Sequence, residues 1–210
     1  MSRGRTQTLL VATSNPGKIH EIRGLLPVEI SILSLDELGI ESPEEIGRTL
    51  RENADLKALA AARKSGMLTI ADDSGLEVRV LGGAPGVRSA RYAGEPPNDA
   101  KNRRALLAAL TDVPADNRTA RFVCAVTIAT PAGIIWTDEG VLHGTILDHE
   151  RGTGGFGYDS VFQLSDGRTV ADLLDEEKNA MSHRGAAIRA ILPKLQAAIS
   201  EQNAQRQLQR

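Results

Sequence analysis

The spacing of apolar positions changes several times along the chain, and each change predicts an element. Residues 8–12 (TLLVA) form an unbroken apolar run, which predicts a buried strand. Thr13-Ser14-Asn15-Pro16-Gly17 is turn chemistry, and residues 18–26 follow as a helix. Residues 28–33 read as a second strand, and residues 34–47 are polar and irregular, with Glu41, Glu44 and Glu45. Leu50, Ala54, Ala58 and Ala61 recur at helical spacing and predict a helix over 49–64, stopped by Ser65-Gly66. Residues 67–71 and 76–81 read as two strands around an Asp72-Asp73 turn. A Gly/Pro-rich loop spans 82–94, and a helix over 99–110 has Asn98 as its cap. From 121 to 130 the period becomes two, with Phe122, Cys124, Val126 and Ile128 on one face of a strand. Residues 133–137 and 140–147 read as its antiparallel neighbours. A second glycine-rich loop covers 152–158. Ser182 then caps a last helix over 183–199, whose stripe is Ala187, Ile191, Leu195 and Ala198. The interleaving predicts a mixed sheet with helices packed on it, plus a lobe from the middle segment.

Composition narrows the function classes. The chain has 210 residues, 41% of them hydrophobic, which suits one substantial domain or two small ones. A net charge of −2 provides no global basic field for DNA or RNA, so any polyanion site must be local. Cys124 is the only cysteine and cannot pair within the chain, which agrees with a reducing, cytoplasmic setting. No leader-like apolar segment begins the chain and no run approaches membrane-spanning length. Nucleophilic catalysis is disfavoured: there is no Gly-x-Ser-x-Gly elbow, and Cys124 falls mid-strand on an apolar face.

Five constellations remain. Thr13-Ser14-Asn15-Pro16-Gly17-Lys18 ends a strand and opens a helix, where free N–H groups, the helix dipole and Lys18 attract phosphate. It lacks the Gly-x-x-x-x-Gly-Lys-Ser/Thr of a P-loop, and an ordinary capped turn is an equal alternative. Asp72-Asp73, with Glu44 and Glu45 elsewhere, offers hard oxygen ligands of the kind Mg²⁺ takes together with substrate phosphates. An Asx-turn explains one of the two aspartates more easily than both. The loop 82–94 carries Gly82, Gly83, Gly86 and Gly94 with Arg88 and Arg91, and reads as a buttress of the Asp turn. In Gly154-Gly155-Phe156-Gly157-Tyr158-Asp159, glycines flank an aromatic, which suits stacking on a base unless Phe156 plugs the core. Finally, Lys178 offers a cation, and His183 and Arg184 follow Ser182 at another helix start.

Taken in order, Thr13 to Lys18, Glu44-Glu45, Asp72-Asp73-Ser74-Gly75-Leu76, Ser89-Ala90-Arg91-Tyr92, Gly155 to Asp159 and Ser182-His183-Arg184 resemble the Ham1-like inosine/xanthosine triphosphate pyrophosphatases. The resemblance runs from about residue 9 to residue 195. It implies an α/β (mixed α+β) fold over residues 1–200. That fold is an elongated, two-lobed single domain with a central mixed sheet, flanking helices and a cleft between the lobes. Residues 201–210, Gln-rich and without apolar anchors, are expected to fray. The resemblance also implies a homodimer. Two positions depart from the family pattern: Ser160 stands where Pro usually follows Gly-Tyr-Asp, and Leu50 where Phe is common.

By the same resemblance the activity is hydrolysis of non-canonical purine nucleoside triphosphates (ITP/dITP, XTP/dXTP) to monophosphate and pyrophosphate. Thr13, Ser14, Asn15, Pro16, Gly17 and Lys18 would hold the triphosphate. Glu44 and Asp73 would bind Mg²⁺, and Asp73 would also accept the proton of the attacking water. Ser74, Phe156, Gly157, Tyr158, Asp159, Lys178, His183 and Arg184 would contact substrate, with Lys18 and Lys178 offsetting charge on the departing pyrophosphate. The rival readings are the same chemistry on other modified or standard nucleotides, and a nucleotide-binding module without hydrolysis. Nucleic acid and membrane are not expected partners.

Overall fold

A computed structural model of the protein describes residues 7–208. Its strands are β1 (Gln7–Val11), β2 (Ile30–Ser34), β3 (Thr69–Val78), β4 (Thr119–Thr130), β5 (Gly133–Ile146) and β6 (Phe162–Gln163). Its α-helices are α1 (Pro16–Leu25), α2 (Leu50–Ser65), α3 (Asp99–Ala109), α4 (Asp175–Met181) and α5 (His183–Leu208). The six strands form a mixed sheet in the order β2-β1-β3-β4-β5-β6. β1 runs parallel to both neighbours, and β5 and β6 are antiparallel. The fold is therefore mixed α/β, as the interleaved pattern predicts.

The described residues divide into two compact units. The first comprises residues 7–73, 125–139 and 186–208. Its core joins Leu10, Ala12, Leu35, Ile40, Ala58, Ala61, Ala62, Ala71 and Ala129. Alanines dominate because α2 lies close against the sheet. Parallel pairing sets Leu10 opposite Thr69 and Val11 opposite Ile70, so the loop after β1 emerges beside Asp72 on β3. Ligands of α/β sheets gather at such carboxyl ends of parallel strands. The rotation of α2 is also fixed by Asp55. Its Oδ1 accepts from Thr127 Oγ1 at 2.6 Å and Thr137 Oγ1 at 2.7 Å.

The second unit comprises residues 74–124 and 140–185. Its core is larger in side chain, joining Leu76, Val78, Leu106, Leu110, Phe122, Ile146, Tyr158, Val161, Phe162 and Val170. Gly75 sits where β3 passes the 3₁₀ turn Gly86–Arg91. A Cβ there would meet the Gly86 carbonyl oxygen at 2.4 Å and Ser89 Oγ at 3.0 Å. The same hydroxyl accepts from the Leu76 N–H at 2.8 Å, so neither backbone can withdraw freely. Gly75→Ala is expected to cost about 1–3 kcal/mol by overpacking. Thermal unfolding checks this as a fall in Tm of several degrees.

Three sequence expectations need correction. The Asp72-Asp73 pair is not a turn between two strands: β3 runs unbroken through it, because each carboxylate finds its own ammonium partner, described below. Residues 133–137 and 140–147 are not separate strands but parts of β5, which runs through Asp138-Glu139-Gly140. At the far end, α5 runs past residue 199 to Leu208, since Gln, Glu and Ala favour helix without an apolar stripe. Residues 209 and 210 of the expected tail lie outside the described residues. The structure also adds α4, which the apolar spacing does not show, although Asp175, Glu176 and Glu177 in its first turn are a standard helix-start signal.

Candidate functional site

In the first unit the candidate groups gather around the carboxyl end of β1 and the middle of β3. The turn after β1 is tied locally. The Asn15 N–H donates to Thr13 Oγ1 at 3.2 Å, and Asn15 Oδ1 accepts from the Lys18 N–H at 3.1 Å, capping α1. Ser14 Oγ donates to Asp36 Oδ1 at 2.8 Å. Pro16 opens the helix with its φ preset, and the first turn holds no acidic residue, so its positive dipole end is not neutralised from within. Ser14, Asn15 and Pro16 are exposed, whereas Thr13 is buried. Lys18, in the same first turn, reaches Asp72, with Nζ 3.1 Å from Oδ2.

Consecutive strand residues point to opposite faces, and Asp72 and Asp73 do so with opposite partners. Asp72 pairs with Lys18 of α1. Asp73 faces α2, accepting from Lys57 Nζ at 2.8 Å and from Asn53 Nδ2 at 3.1 Å. Both aspartates are buried, and so are Lys57 and Asn53. Lys57 also donates to Glu45 Oε1 at 2.9 Å, and Asn53 Oδ1 accepts from the Gly47 N–H at 2.7 Å. Residues 45–47 are thereby strapped to α2. Glu44, one residue before that strap, is exposed, and the carboxylate that reaches Lys57 is Glu45's.

Burial pushes the Asp73 carboxyl above the usual carboxylate range, opposed by the charges of Lys57 and Lys18. Burial pulls on Lys57 too, but Asp73, Asp72 and Glu45 hold its ammonium above the ordinary lysine value. A buried carboxylate of raised basicity beside an ammonium suits proton acceptance next to developing negative charge. On the Lys57 side of β3 two carboxylates, Asp73 and Glu45, meet one ammonium, which leaves an excess of hard anionic oxygen. No three His, Cys, Asp or Glu side chains among the described residues converge as a ready metal cage. That donor set fits a cation such as Mg²⁺, which is commonly held by one or two carboxylates and completes its shell with substrate phosphate and water.

The second unit gathers the remaining candidates. Arg184, in the first turn of α5, is buried and donates from Nη2 to Ser74 Oγ at 2.7 Å. Ser182 caps that helix by accepting from the Gly185 N–H at 3.0 Å. Asp159 Oδ2 accepts from Lys178 Nζ at 2.6 Å and from the Phe156 N–H at 2.9 Å. The Phe156 ring is only half-buried and is no core plug. Lys178 Nζ lies 4.7 Å and Arg184 Cζ 5.9 Å from its centroid. Two cations thus lie over an aromatic ring that has glycine on either side in the chain. Gly155 is required there: its φ is +70°, and a Cβ would meet Asp159 Oδ2 at 2.1 Å. His183 stacks on Phe122, with centroids 4.8 Å apart and planes 14° from parallel.

Tyr158 and the Ser89-Ala90-Arg91-Tyr92 motif have structural contacts. Tyr158 is buried in the core, and its hydroxyl donates to the Ser89 carbonyl at 2.8 Å. Burial pushes that hydroxyl above the ordinary tyrosine range, so it remains a neutral donor. Ser89 links β3 to the Phe156 loop, so the 82–94 segment braces the continuous strand after the aspartate pair and not the Asp turn expected of it.

Sequence reasoning missed Asn53 and Lys57. They stand four residues apart, next to the alanine stripe of α2, and a Lys beside the apolar face was the available signal.

The chain is similar to known proteins over most of its length. The model of the Ham1 family matches residues 9–194. A dITP/XTP pyrophosphatase of Desulforamulus reducens is 50% identical over 184 residues, 86% of this chain and 92% of that protein. One of Escherichia coli O157:H7 is 47% identical over 195 residues, 90% and 98% of the two chains. Among solved structures, a HAM1 protein from Coxiella burnetii superposes with a TM-score of 0.82 at 37% identity, covering 91% of this chain and 99% of that one. With most of its length matched by the family model and by relatives of this identity, the chain belongs to the Ham1 family.

Proposed function

We propose that the protein hydrolyses non-canonical purine nucleoside triphosphates, ITP/dITP and XTP/dXTP, to the monophosphate and pyrophosphate. The observation that carries the reading is Asp73, buried and basic between Lys57 and Asn53, one residue from the Asp72–Lys18 pair that opens the helix after β1. The names of the relatives, dITP/XTP pyrophosphatases, give the substrate class. Asp73 takes a proton from water as the water oxygen bonds to the α-phosphorus. The bond from that phosphorus to the bridging oxygen breaks, and pyrophosphate leaves with the electron pair. Residues 13–18 and the N-terminus of α1 hold the phosphates, and Lys18 offsets the charge gathering on the leaving group. Mg²⁺ on Asp73 and Glu44 would neutralise phosphate charge and acidify water. Lys57 fixes the orientation of the Asp73 carboxylate through its hydrogen bond.

Base choice follows from the second unit. Phe156 offers a stacking face near Lys178, Arg184 and Asp159, and Ser74 and His183 are further candidate contacts, so the set is mostly donor groups. Hypoxanthine and xanthine carry a 6-oxo acceptor, whereas adenine places an amino donor there. Each buried donor left facing the amino group costs about 1–3 kcal/mol, roughly 10- to 100-fold. The same reading carries a homodimer working on the cytoplasmic nucleotide pool, without nucleic acid as partner.

Product analysis tests the reaction type. With ITP and Mg²⁺, IMP and pyrophosphate are expected in equal amounts. IDP with orthophosphate would contradict attack at the α-phosphorus, and tight ITP binding without products would favour a non-hydrolysing module.

A further inference from the structure

Gly157, between Phe156 and Tyr158, is held through both of its peptide groups by α3. Its N–H donates to Asp99 Oδ2 at 2.8 Å, and its carbonyl accepts from Arg103 Nη1 at 2.8 Å. Asp99 and Arg103 are four residues apart, so they share one face of the helix. The Arg103 guanidinium has a second partner, Glu150, in an ion pair with Nε 2.8 Å from Oε2. Glu150 Oε2 also accepts from Ser160 Oγ at 3.2 Å, and the Ser160 carbonyl accepts from the Arg151 N–H at 2.7 Å. Ser160 is the residue that stands in place of the family's usual proline. α3 is itself anchored, because buried Asn102 donates to the Ala90 carbonyl and accepts from the Ala93 N–H, both at 2.8 Å.

This strap meets a physical need. Gly155 and Gly157 have φ of +70° and +60°, and neither has a side chain to pack. Ordering a residue costs about 1–2 kcal/mol of backbone entropy, and most for glycine. A loop left free would take that cost from nucleotide affinity each time a base stacked on Phe156.

We propose that Asp99 and Arg103 are positioning residues that fix the Gly157 peptide and thereby hold Phe156 ready for the base, with Glu150 and Ser160 bracing Arg103. The proposal rests on the reading of the Phe156 loop as the base site. The two residues act through Gly157. The groups around Asp73 are unaffected, so the effect falls on KM for the nucleotide and spares kcat.

The test is steady-state kinetics of wild type, Asp99→Ala, Asp99→Asn, Arg103→Leu and Arg103→Lys with ITP and ATP. It is joined by hydrogen exchange of the Gly157 N–H and by Tm. Asp99→Ala and Arg103→Leu are expected to raise KM for ITP about 10-fold, the worth of one hydrogen-bonded group, with kcat within about threefold. The preference for ITP over ATP falls, and in Asp99→Ala exchange at Gly157 accelerates. Asp99→Asn keeps an acceptor oxygen and restores KM and protection. Arg103→Lys lacks the planar fork that serves Gly157 and Glu150 together, so it stays impaired. A wild type active on ITP, with KM unchanged in Asp99→Ala and Arg103→Leu, would overturn the clamp. So would a matched fall in kcat for both nucleotides that tracks Tm. A wild type inactive on ITP would instead overturn the reading beneath it, and the clamp with it.

Discussion

Asp73→Asn is expected to fold and to lose about 10³-fold or more in kcat for ITP, within the upper range for removal of a general base. The substitution keeps the shape of the side chain and one acceptor oxygen for Lys57. It removes the charge and turns the other oxygen into an NH₂ that faces the Asn53 amide. Asn53 cannot simply flip, because its own oxygen is engaged by the Gly47 N–H at 2.7 Å. One mismatched buried pair costs about 1–3 kcal/mol, which domains of ordinary stability survive. Lys57 keeps Glu45 as its counter-ion. The activity loss should therefore far exceed the stability loss. Single-turnover rates beside a melting curve separate the two. Turnover close to wild type would remove Asp73 from the proton step.

The second large effect is expected at Lys57. Lys57→Met keeps the unbranched stem but leaves buried Asp73 with the Asn53 amide alone. Breaking a buried ion pair from one side costs about 3–5 kcal/mol. Loss of the orienting charge is expected to lower kcat/KM about 10²–10³-fold. The pH dependence identifies the cause. Burial already raises the Asp73 pKa, and Lys57 is the largest influence opposing it. Without the ammonium that pKa climbs further, a shift that carboxyl NMR titration of the metal-free variant reads directly. A carboxyl whose folded pKa lies above its unfolded one contributes stability at low pH that is lost as pH rises through the folded value. The Tm deficit of Lys57→Met should thus be small below about pH 4, the ordinary aspartate value, and widen toward neutrality. A deficit that does not change with pH would mean that packing, not the pairing with Asp73, is what the lysine supplies.

Local chemistry was the legible part of the sequence. The caps at Asn98 and Ser182 and the stop at Gly66 need only their neighbours, and all three stand as the pattern predicts. The α/β alternation and the glycine-flanked Phe156 were equally visible. The partners of the acidic pair were not, because they come from distant helices: Lys18 from α1 and Lys57 from α2. Without knowing them, two adjacent buried carboxylates look like a turn awaiting a cation. With them, each face of β3 is compensated and the strand continues. Lys57 was hidden because a lysine on a helix ordinarily reads as a solvated residue, and only its place beside the alanine stripe marks it. Asp99 and Arg103 were hidden because their partner is the backbone of a glycine, which carries no sequence signal of its own.

The most direct test of the proposed activity is the substrate profile. Values of kcat/KM for ITP, dITP, XTP, dUTP, GTP and ATP, measured side by side with Mg²⁺ and pyrophosphate detection, report base choice and chemistry together. ITP, dITP and XTP are expected to exceed ATP by about 10²-fold or more, the sum of two unmatched donors. A profile in which ATP or dUTP equals or exceeds ITP would contradict the assignment of non-canonical purines as substrates.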